Sequence, residues 1–507
     1  MIKKEFEDDL DDNWVVSERG FYERYKPLRN KLRKYSPESI LEACIEKMNK
    51  FDQGSVEGLL AMPWLWIVAL KWAFIGVGTS FGSSKKITSK ELEGLNLLLV
   101  KISNYALLPT QYKPMELYTR AITYQQAPYQ VLIAAYGLAR QDLMFGKCQE
   151  NEFFKADFHG LHGLPLEVFL RLSGILVSML EVNNKLKFSM LDLPLQLFEK
   201  EHVVRYLESI SINIEVLGEK LSEASPGPRR PKEFFEQTPF MSFPLVKVGD
   251  IYWCVNRKIL MQALNYFVYD TLREKSKFSD KFGKRFEGYV GSIILGSGLN
   301  HRVESDLKKA LGSDSKVVDF LVTSEGANFF IDAKGVDLAA RAKLTHLSDV
   351  LKGAVKSSLL KAIVQGQDTN LRLTEFECSD PVIKPRKENY LFAVTYKPLF
   401  IGNGEFLNHL LGGEEVERIL GDYPLSSQIP LSNIYFFSID EFEWLMHLVK
   451  ENKISLVNAI ERAKLADSEF ETAKYYFSAH LSQWPEYHEV NPPLEGQVSA
   501  MTAEFTG

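Results

Sequence analysis

Two short apolar segments near the middle of the chain each carry an acidic residue inside an otherwise hydrophobic run. Segment 317–323 contains Asp319, and segment 328–334 ends with Asp332 and Lys334. Residues two apart in a strand share one face, so Asp332 and Lys334 point the same way, and pairing of the segments would bring Asp319 alongside them. A carboxylate in such a run is costly unless it binds something positive. The residue types therefore predict a divalent metal site at one edge of a sheet.

The context of these residues separates them from chance occurrences of an acid two positions before a lysine. The connection 324–327 has the length and the glycine of a hairpin turn. The same acid-x-lysine spacing recurs at Asp306 in a helix-like stretch, at Asp314 in a Gly/Ser-rich loop and at Glu451 at the polar end of a helix. Only Asp332 ends an apolar strand that follows a second strand with its own acid. The alternative is a solvated surface ion pair, worth less than about 1 kcal/mol.

This arrangement resembles the PD-(D/E)xK nuclease superfamily, the restriction-endonuclease-like fold, whose core has an aspartate at the start of one strand and an acid-x-lysine on the next. The resemblance covers residues 280–370, with Val318 in place of the name-giving proline and Asp332 in place of the commoner glutamate. It implies a restriction-endonuclease-like α/β core in which helices flank a mixed central sheet.

The superfamily often adds an acid on the helix before these strands, and Glu287 stands in such a position. Apolar residues at helical spacing surround it: Phe282, Phe286, Tyr289, Val290 and Ile293. Hard oxygen ligands suit Mg²⁺ or Mn²⁺, so we expect Asp319, Asp332 and the Ala333 carbonyl to hold the ion. Lys334 would orient the attacking water and stabilise the developing negative charge. Glu287 would bind a second ion or order the first through water.

A basic region surrounds these residues. Residues 226–367 hold 22 Lys/Arg against 15 Asp/Glu, a net charge of +7, whereas the rest of the chain carries −13. Beyond the lysine, apolar residues in segment 347–363 repeat at helical spacing and predict a helix. Polar side chains on that helix and beside Glu287 are candidates for contact with a phosphate backbone, and solvated helix faces are the alternative. The candidates are Lys284, Arg285, Lys352, Lys356, Lys361 and Gln365.

The order of patterns along the chain predicts an α+β protein. Helical periodicities dominate residues 1–225, which are expected to form an all-helical N-terminal domain with a sensor, partner-binding or regulatory role. A stiff, proline-rich segment then opens residues 226–280, which predict a connecting β-hairpin and an aromatic helix. Residues 281–445 are the predicted nuclease domain, and residues 446–507 predict an acidic helical C-terminal segment.

Three features of the sequence indicate the cellular compartment of the protein. Segment 59–77 is apolar enough to suggest a membrane span, but Pro63 and Lys71 interrupt it, so a buried helix is predicted. The N-terminus is highly charged and lacks the apolar core of a signal peptide. Four cysteines, about a hundred residues apart, form no metal-type pair and fit a reducing compartment. We therefore expect a cytoplasmic protein without membrane association.

These features together predict a magnesium-dependent endonuclease that hydrolyses phosphodiester bonds in nucleic acid, with DNA favoured over RNA. A helical front half before a late nuclease core is similar to bacterial antiphage defence nucleases, so the helical domain is expected to bind a protein partner or trigger. A homo-oligomer is left open. The alternative is a catalytically silent nucleic-acid-binding or scaffold protein that keeps the nuclease-like fold. Retention of Glu287, Asp319, Asp332 and Lys334 favours the enzyme, because a decayed site usually loses the lysine or an acid.

Overall fold

The computed structural model of the protein shows an α+β chain, with two mixed β-sheets among the residues that it describes. The described residues are 16–51, 55–75, 85–106, 112–130, 134–149, 152–313, 315–469 and 471–503. Asp314, which belongs to one of the chance acid-x-lysine spacings, lies outside them.

Helices account for most of the described residues. The α-helices are α1 (Glu18–Leu32), α2 (Pro37–Met48), α3 (Val56–Leu60), α4 (Pro63–Ile75), α5 (Ser89–Ala106), α6 (Met115–Gln126), α7 (Ala134–Gln141), α8 (Phe153–His162), α9 (Leu166–Val182), α10 (Asp192–Leu197), α11 (Lys200–Ile210), α12 (Ile214–Ala224), α13 (Arg257–Asn265), α14 (Phe267–Leu272), α15 (Phe278–Gly296), α16 (Glu304–Leu311), α17 (Ala340–Lys343), α18 (Ser348–Val355), α19 (Lys361–Glu375), α20 (Gly404–Leu410), α21 (Glu415–Gly421), α22 (Ile439–Lys450), α23 (Leu456–Asp467), α24 (Ser478–Leu481), α25 (Pro485–His488) and α26 (Glu495–Ala503). The strands are β1 (Lys185–Lys187), β2 (Ser211–Asn213), β3 (Leu245–Val248), β4 (Ile251–Cys254), β5 (Asn300–Val303), β6 (Phe320–Ser324), β7 (Ala327–Lys334), β8 (Asn389–Thr395) and β9 (Ile434–Ser438). Single π-helical turns lie at Asp142–Gly146 and Lys356–Leu360.

The chain forms two compact units, and each unit is built from several separate stretches of sequence. Unit 1 comprises Met1–Met115, Tyr124–Leu138 and His162–Tyr266, and unit 2 comprises Glu116–Thr123, Ala139–Leu161 and Phe267–Gly507.

The sheet of unit 1 crosses the boundary that the sequence predicted at residue 226. Its strands lie in the order β1-β4-β3-β2, so two strands from before the proline-rich segment pair with two from beyond it. The expectation of an all-helical N-terminal domain is therefore wrong. Strands β1 and β2 have only three residues each, which is too short to leave an alternating pattern in the sequence.

Helix α4 lies at the centre of the hydrophobic core of unit 1. It is apolar all round, which is typical of a helix buried on every side, and its residues from Leu65 to Phe74 are buried. The stretch Val56–Ile75 has the length and composition of a membrane span, but 67% of its most apolar window is buried inside the fold. The prediction of a buried helix is thus confirmed. Its one charged residue, Lys71, lies with its Nζ 2.8 Å from Oε2 of Glu233.

In unit 2 the strands follow the order β5-β6-β7-β8-β9. The first three are antiparallel neighbours, and β8 and β9 run parallel to β7. The predicted hairpin is confirmed as β6 and β7, whose two-residue loop has positive φ at Glu325 (48°) and Gly326 (79°). Tight hairpin turns of type I′ require positive φ at both positions. Because helices α15 and α19 both pack against β7, residues 327–332 are all buried.

A buried ion network fixes α15 against α22 within unit 2. The Arg140 guanidinium donates to both carboxylate oxygens of Glu443, at 2.6 and 2.8 Å, and to Asp440 at 2.5 Å. The Tyr289 hydroxyl on α15 donates to Glu443 at 2.6 Å. Since every buried polar group in this set has a partner, the network fixes the placement of the helix that carries Glu287.

A second buried arginine holds the chain that follows β7 and β8. Arg120 is fully buried, and its guanidinium donates to the carbonyl oxygens of Leu399, Ala342 and Lys343 at 2.9 to 3.0 Å. Two segments that leave the same edge of the sheet are therefore tied to one side chain. This edge is the one at which Lys334 ends β7.

Replacing Glu233 by glutamine should destabilise unit 1, because it leaves the buried Lys71 ammonium without its counter-charge. Loss of one partner from a buried ion pair typically costs about 3–5 kcal/mol. The free energy of unfolding can be followed by tryptophan fluorescence in urea, since Trp72 Nε1 donates to Glu233 at 3.0 Å. Glu236→Gln is the matched control: its carboxylate is partly exposed and 4.0 Å from Lys71, so the loss should stay below about 1 kcal/mol.

The same pair sets a pH dependence. Burial alone would raise the pKa of the Glu233 carboxyl, but Lys71, Trp72 and Arg229 hold that pKa below its ordinary value. A lowered carboxyl pKa contributes stability that is complete above the ordinary pKa and is lost as the pH falls through the lowered one. The stability gap between wild type and Glu233→Gln should therefore narrow in acid. A difference in free energy of unfolding that stays constant down to strongly acidic pH would contradict a lowered pKa for Glu233.

Candidate metal and catalytic centre

The structure brings Asp319 and Asp332 together at neighbouring strand ends. Asp319 directly precedes β6, and the pairing of Phe320 with Ile331 places it across from Asp332 on β7. The backbone N–H of Ala333 donates to Asp319 Oδ2 at 2.7 Å. The juxtaposition that the two apolar segments predicted is therefore present.

Asp332 is fully buried beside one cation and one other acid. Its side chain is inaccessible to solvent, Lys334 Nζ lies 2.5 Å from its Oδ2, and the Asp319 carboxyl lies next to it. A buried carboxylate with a second acid against it is a strong acceptor for a cation.

The same arrangement disfavours the charged form of Asp319. Burial first, and then the neighbouring Asp332 carboxylate, raise the pKa of Asp319 to about 8, while the Ala333 N–H and the Lys334 ammonium act in the opposite direction. Two carboxylates this close cannot both be charged without cost. A proton or a metal ion between them would relieve that repulsion.

Lys334 is held by the helix that follows the hairpin. Its Nζ donates to Gln365 Oε1 at 2.9 Å, and Gln365 Nε2 donates to the Val317 carbonyl at 3.0 Å. One turn later, Thr369 Oγ1 accepts from the N–H of Val318 at 3.1 Å. Helix α19 therefore fixes both the lysine and the segment that leads into Asp319.

The predicted helix over segment 347–363 is interrupted. It consists of α18, a π turn at Lys356–Leu360 and the start of α19. A π turn inserts an extra residue, which rotates the later side chains relative to the earlier ones. This is one reason why Gln365, expected to face a phosphate backbone, instead lies inside the centre.

Glu287 approaches the centre from α15, which lies close against the sheet. A Cβ on Gly291 would come within 3.0 Å of the Phe320 ring, and one on Gly335 within 2.9 Å of the Phe282 ring. Burial, Glu304 and Asp332, in that order, raise the pKa of Glu287. Its carboxylate is therefore within electrostatic reach of Asp332.

The predicted ligands do not form a closed cage. Within the described residues, no three Asp, Glu, His or Cys side chains stand close enough together to hold a metal ion. The centre is thus a carboxylate pair, with Glu287 at longer range. The pair still fits a hard divalent cation, because Mg²⁺ usually takes only one or two protein carboxylates and completes its shell with water and substrate oxygens.

The predicted phosphate contacts divide into two groups. Lys284, Lys356 and Lys361 have exposed side chains, and their contact with a phosphate backbone remains a prediction. Two others are engaged within the protein: Lys352 forms an ion pair with Glu415, and Arg285 donates to the Met144 carbonyl. Neither engagement could be read from helical spacing, because both partners are distant in sequence.

Sequence reasoning missed two residues of the centre. Thr369 gave no signal, since a threonine in a helix has no distinctive pattern. Glu304 begins α16 directly after β5, and β5 pairs with β6 through Val303 and Phe320. The sequence analysis considered the acid-x-lysine spacing at Asp306 on the same helix and set it aside as a chance occurrence.

Comparison of the chain with protein-family models, with curated proteins and with solved structures found no match.

Metal binding by the pair can be tested without any assumption about catalysis. Ligands that bind only the folded state stabilise it, by about 2.7 kcal/mol at a hundred times the dissociation constant. We expect Mn²⁺ to raise the melting temperature of the wild type relative to EDTA, and Asp332→Asn to abolish that rise. Asp306→Asn, which alters the aspartate of another acid-x-lysine spacing, should keep it. An equal rise in the wild type and Asp332→Asn would show that the ion binds elsewhere.

Proposed function

We propose that the protein is a metal-dependent nuclease that hydrolyses phosphodiester bonds. The observation that carries the proposal is the Asp319–Asp332 pair, buried at two adjacent strand ends beside the Lys334 ammonium. One carboxylate is enough to form an ion pair with Lys334. A second carboxylate is expected where the site must hold a divalent cation next to an anionic substrate.

The carboxylates and the lysine of the centre have different tasks in this proposal. Asp319 and Asp332, with the Ala333 carbonyl, would hold Mg²⁺ or Mn²⁺, and Glu287 would order the surrounding water. The ion, when bound, polarises the scissile phosphate and lowers the pKa of a bound water. Lys334 would place its ammonium where negative charge develops on the phosphate oxygens, and its fixed position spares reorganisation during the reaction.

Gln365 supports this role of Lys334. A free lysine side chain samples many rotamers, whereas Lys334 is 14% exposed and donates to Gln365, which is itself tied to the Val317 carbonyl. Metal or substrate binding would draw Asp332 away from Lys334, and the Gln365 contact would keep the lysine in place meanwhile. Gln365 is thus a positioning residue.

The surrounding fold is in keeping with the superfamily that the sequence resembles. A mixed sheet carries the first aspartate before one strand and the acid-x-lysine on the next, and Glu287 lies on the preceding helix. Helices α15 and α19 both contact β7. These correspondences support the nuclease proposal, which rests on the residues of the centre.

The substrate that we propose is nucleic acid, with DNA favoured. Residues 226–367, which include both aspartates and Lys334, have a net charge of +7. Lys284, Lys356 and Lys361 present exposed ammonium groups to solvent. Such a surface favours a polyanion through counterion release. By the same resemblance, we infer a role in bacterial antiphage defence in the cytoplasm, with the N-terminal helices binding a partner or trigger.

One observation favours a second candidate, a non-cleaving nucleic-acid-binding protein. Lys334 Nζ lies 2.5 Å from Asp332, and this contact satisfies part of the charge that a metal would otherwise meet. In a catalytically silent protein, the ion pair between Lys334 and Asp332 would persist when nucleic acid binds. The two candidates differ in whether Mg²⁺ produces cleavage.

Cleavage assays distinguish the candidates directly. Purified protein is incubated with plasmid DNA, genomic DNA and total RNA, in Mg²⁺, in Mn²⁺ and in EDTA. We expect metal-dependent cutting that falls by several orders of magnitude in Asp319→Asn and in Asp332→Asn, on the scale of losing a catalytic metal. Asp306→Asn should cut like the wild type. Binding without cutting in every metal would favour the silent protein, and undiminished cutting by either pair variant would overturn the assignment.

Lys334 and Gln365 should separate chemistry from binding. Lys334→Ala should lose cleavage while nearly keeping its affinity for DNA, since one buried lysine contributes little to a salt-dependent backbone interaction. Gln365→Ala should reduce the cleavage rate by about 10- to 100-fold, as is usual when a residue that orients a site group is removed. For each variant, DNA affinity is measured by fluorescence anisotropy and compared with the cleavage rate. A fall in affinity equal to the fall in rate would make Lys334 a binding residue instead.

A further inference from the structure

Helix α16 adds a charged pair to the edge of the centre. Strand β5 ends at Val303, which pairs with Phe320. Glu304, the first residue of α16, follows Val303, and Asp319 precedes Phe320. The start of α16 is therefore adjacent to the strand end that carries Asp319.

Lys308 lies one turn along α16 and pairs with Glu304. Its Nζ is 2.8 Å from Glu304 Oε1, and the two side chains are 39% and 40% exposed. A glutamate four residues before a lysine is the favourable orientation for such a pair on a helix. Hydrogen bonding to Glu304, and more weakly the charges of Asp319 and Glu287, raise the pKa of Lys308. The ammonium thus lies in the field of the centre while remaining open to solvent.

The centre needs a cation on its solvent side. Four carboxylates, Glu287, Glu304, Asp319 and Asp332, would repel an approaching phosphodiester, even with one divalent ion bound. Lys334 is largely buried, engaged by Asp332 and Gln365, and assigned by the proposed function to the scissile phosphate, so a flanking phosphate needs another cation. Lys308 is a cation beside Asp319 that solvent reaches.

We propose that Lys308 binds a phosphate that flanks the scissile one on the substrate strand, and that Glu304 is the positioning residue that holds its ammonium over the centre. This inference rests on the proposed nuclease function. It also distinguishes Lys308 from its neighbour Lys309, which lies on another face of α16 and lines a shallow pocket of about 440 Å³ with Arg302 and Asp380.

The test compares two adjacent lysines. Binding of a fluorescein-labelled DNA duplex, and of the matching RNA duplex, is measured in EDTA over a range of salt concentrations. Loss of one phosphate contact should reduce the slope of log affinity against log salt by about 0.9. We expect that change in Lys308→Ala, no change in Lys309→Ala, and recovery in Lys308→Arg. An unchanged slope in Lys308→Ala, or equal changes in both alanine variants, would overturn the proposal.

Steady-state cleavage adds a second readout. Lys308→Ala should raise KM several-fold and leave kcat close to the wild-type value, because the contact forms before the chemical step. Glu304→Gln should raise KM less and leave the Mg²⁺ concentration for half-maximal rate unchanged. A higher Mg²⁺ requirement in Glu304→Gln would mean that Glu304 acts on the ion, which overturns its positioning role.

These measurements separate failure of the inference from failure of the proposed function. If the wild type binds duplex and cuts nothing, the nuclease proposal fails and the salt slopes still decide whether Lys308 contacts phosphate. If the wild type cuts and Lys308→Ala matches it in slope and KM, only the inference fails. Absence of duplex binding by the wild type overturns both.

Discussion

Repulsion between two buried carboxylates is the constraint to which the rest of unit 2 is fitted. Asp319 and Asp332 face each other at the ends of paired strands, and burial, followed by this proximity, raises the pKa of Asp319 to about 8. Arrangements of this kind lower the stability of the fold, so they persist only where the surrounding structure leaves no alternative. The centre is therefore best understood through the contacts that prevent it from relaxing.

The contacts that hold the centre come from the β7 backbone and from helices α19 and α15. The Ala333 N–H holds one oxygen of Asp319, and Thr369 and Gln365 hold the two residues before it through the backbone. On the opposite side α15 is pressed against the sheet at Gly291 and is fixed through the Tyr289 hydroxyl. Because the strand end, both helices and the sheet are each fixed separately, the backbone that carries the two carboxylates is held in place.

Local pattern was sufficient for the elements that carry the centre. The hairpin followed from alternation and a glycine turn, and the pairing of Asp319 with Asp332 followed from strand geometry. Glu287 was placed by the helical stripe around it together with the resemblance. Pattern could not supply long-range partners. Gln365 was a candidate for contact with a phosphate backbone, and in the folded chain it hydrogen-bonds Lys334 and the Val317 carbonyl. Lys352 and Arg285 likewise have partners that only the folded chain brings near. The boundary at residue 226 was misplaced for the same reason, since strand pairing joins both sides of it.

The interleaving of the two units bears on how this protein can change over evolutionary time. Arg120 and Arg140 belong to short segments, Glu116–Thr123 and Ala139–Leu161, that leave unit 1 and complete unit 2 before the chain returns. Without them, the buried Glu443 would lose its counter-charge and three carbonyl groups would lose their donor. Unit 2 is consequently not encoded by one contiguous stretch of the gene. Transfer of residues 267–507 alone would leave Glu443 without Arg140 and the three carbonyl groups without Arg120.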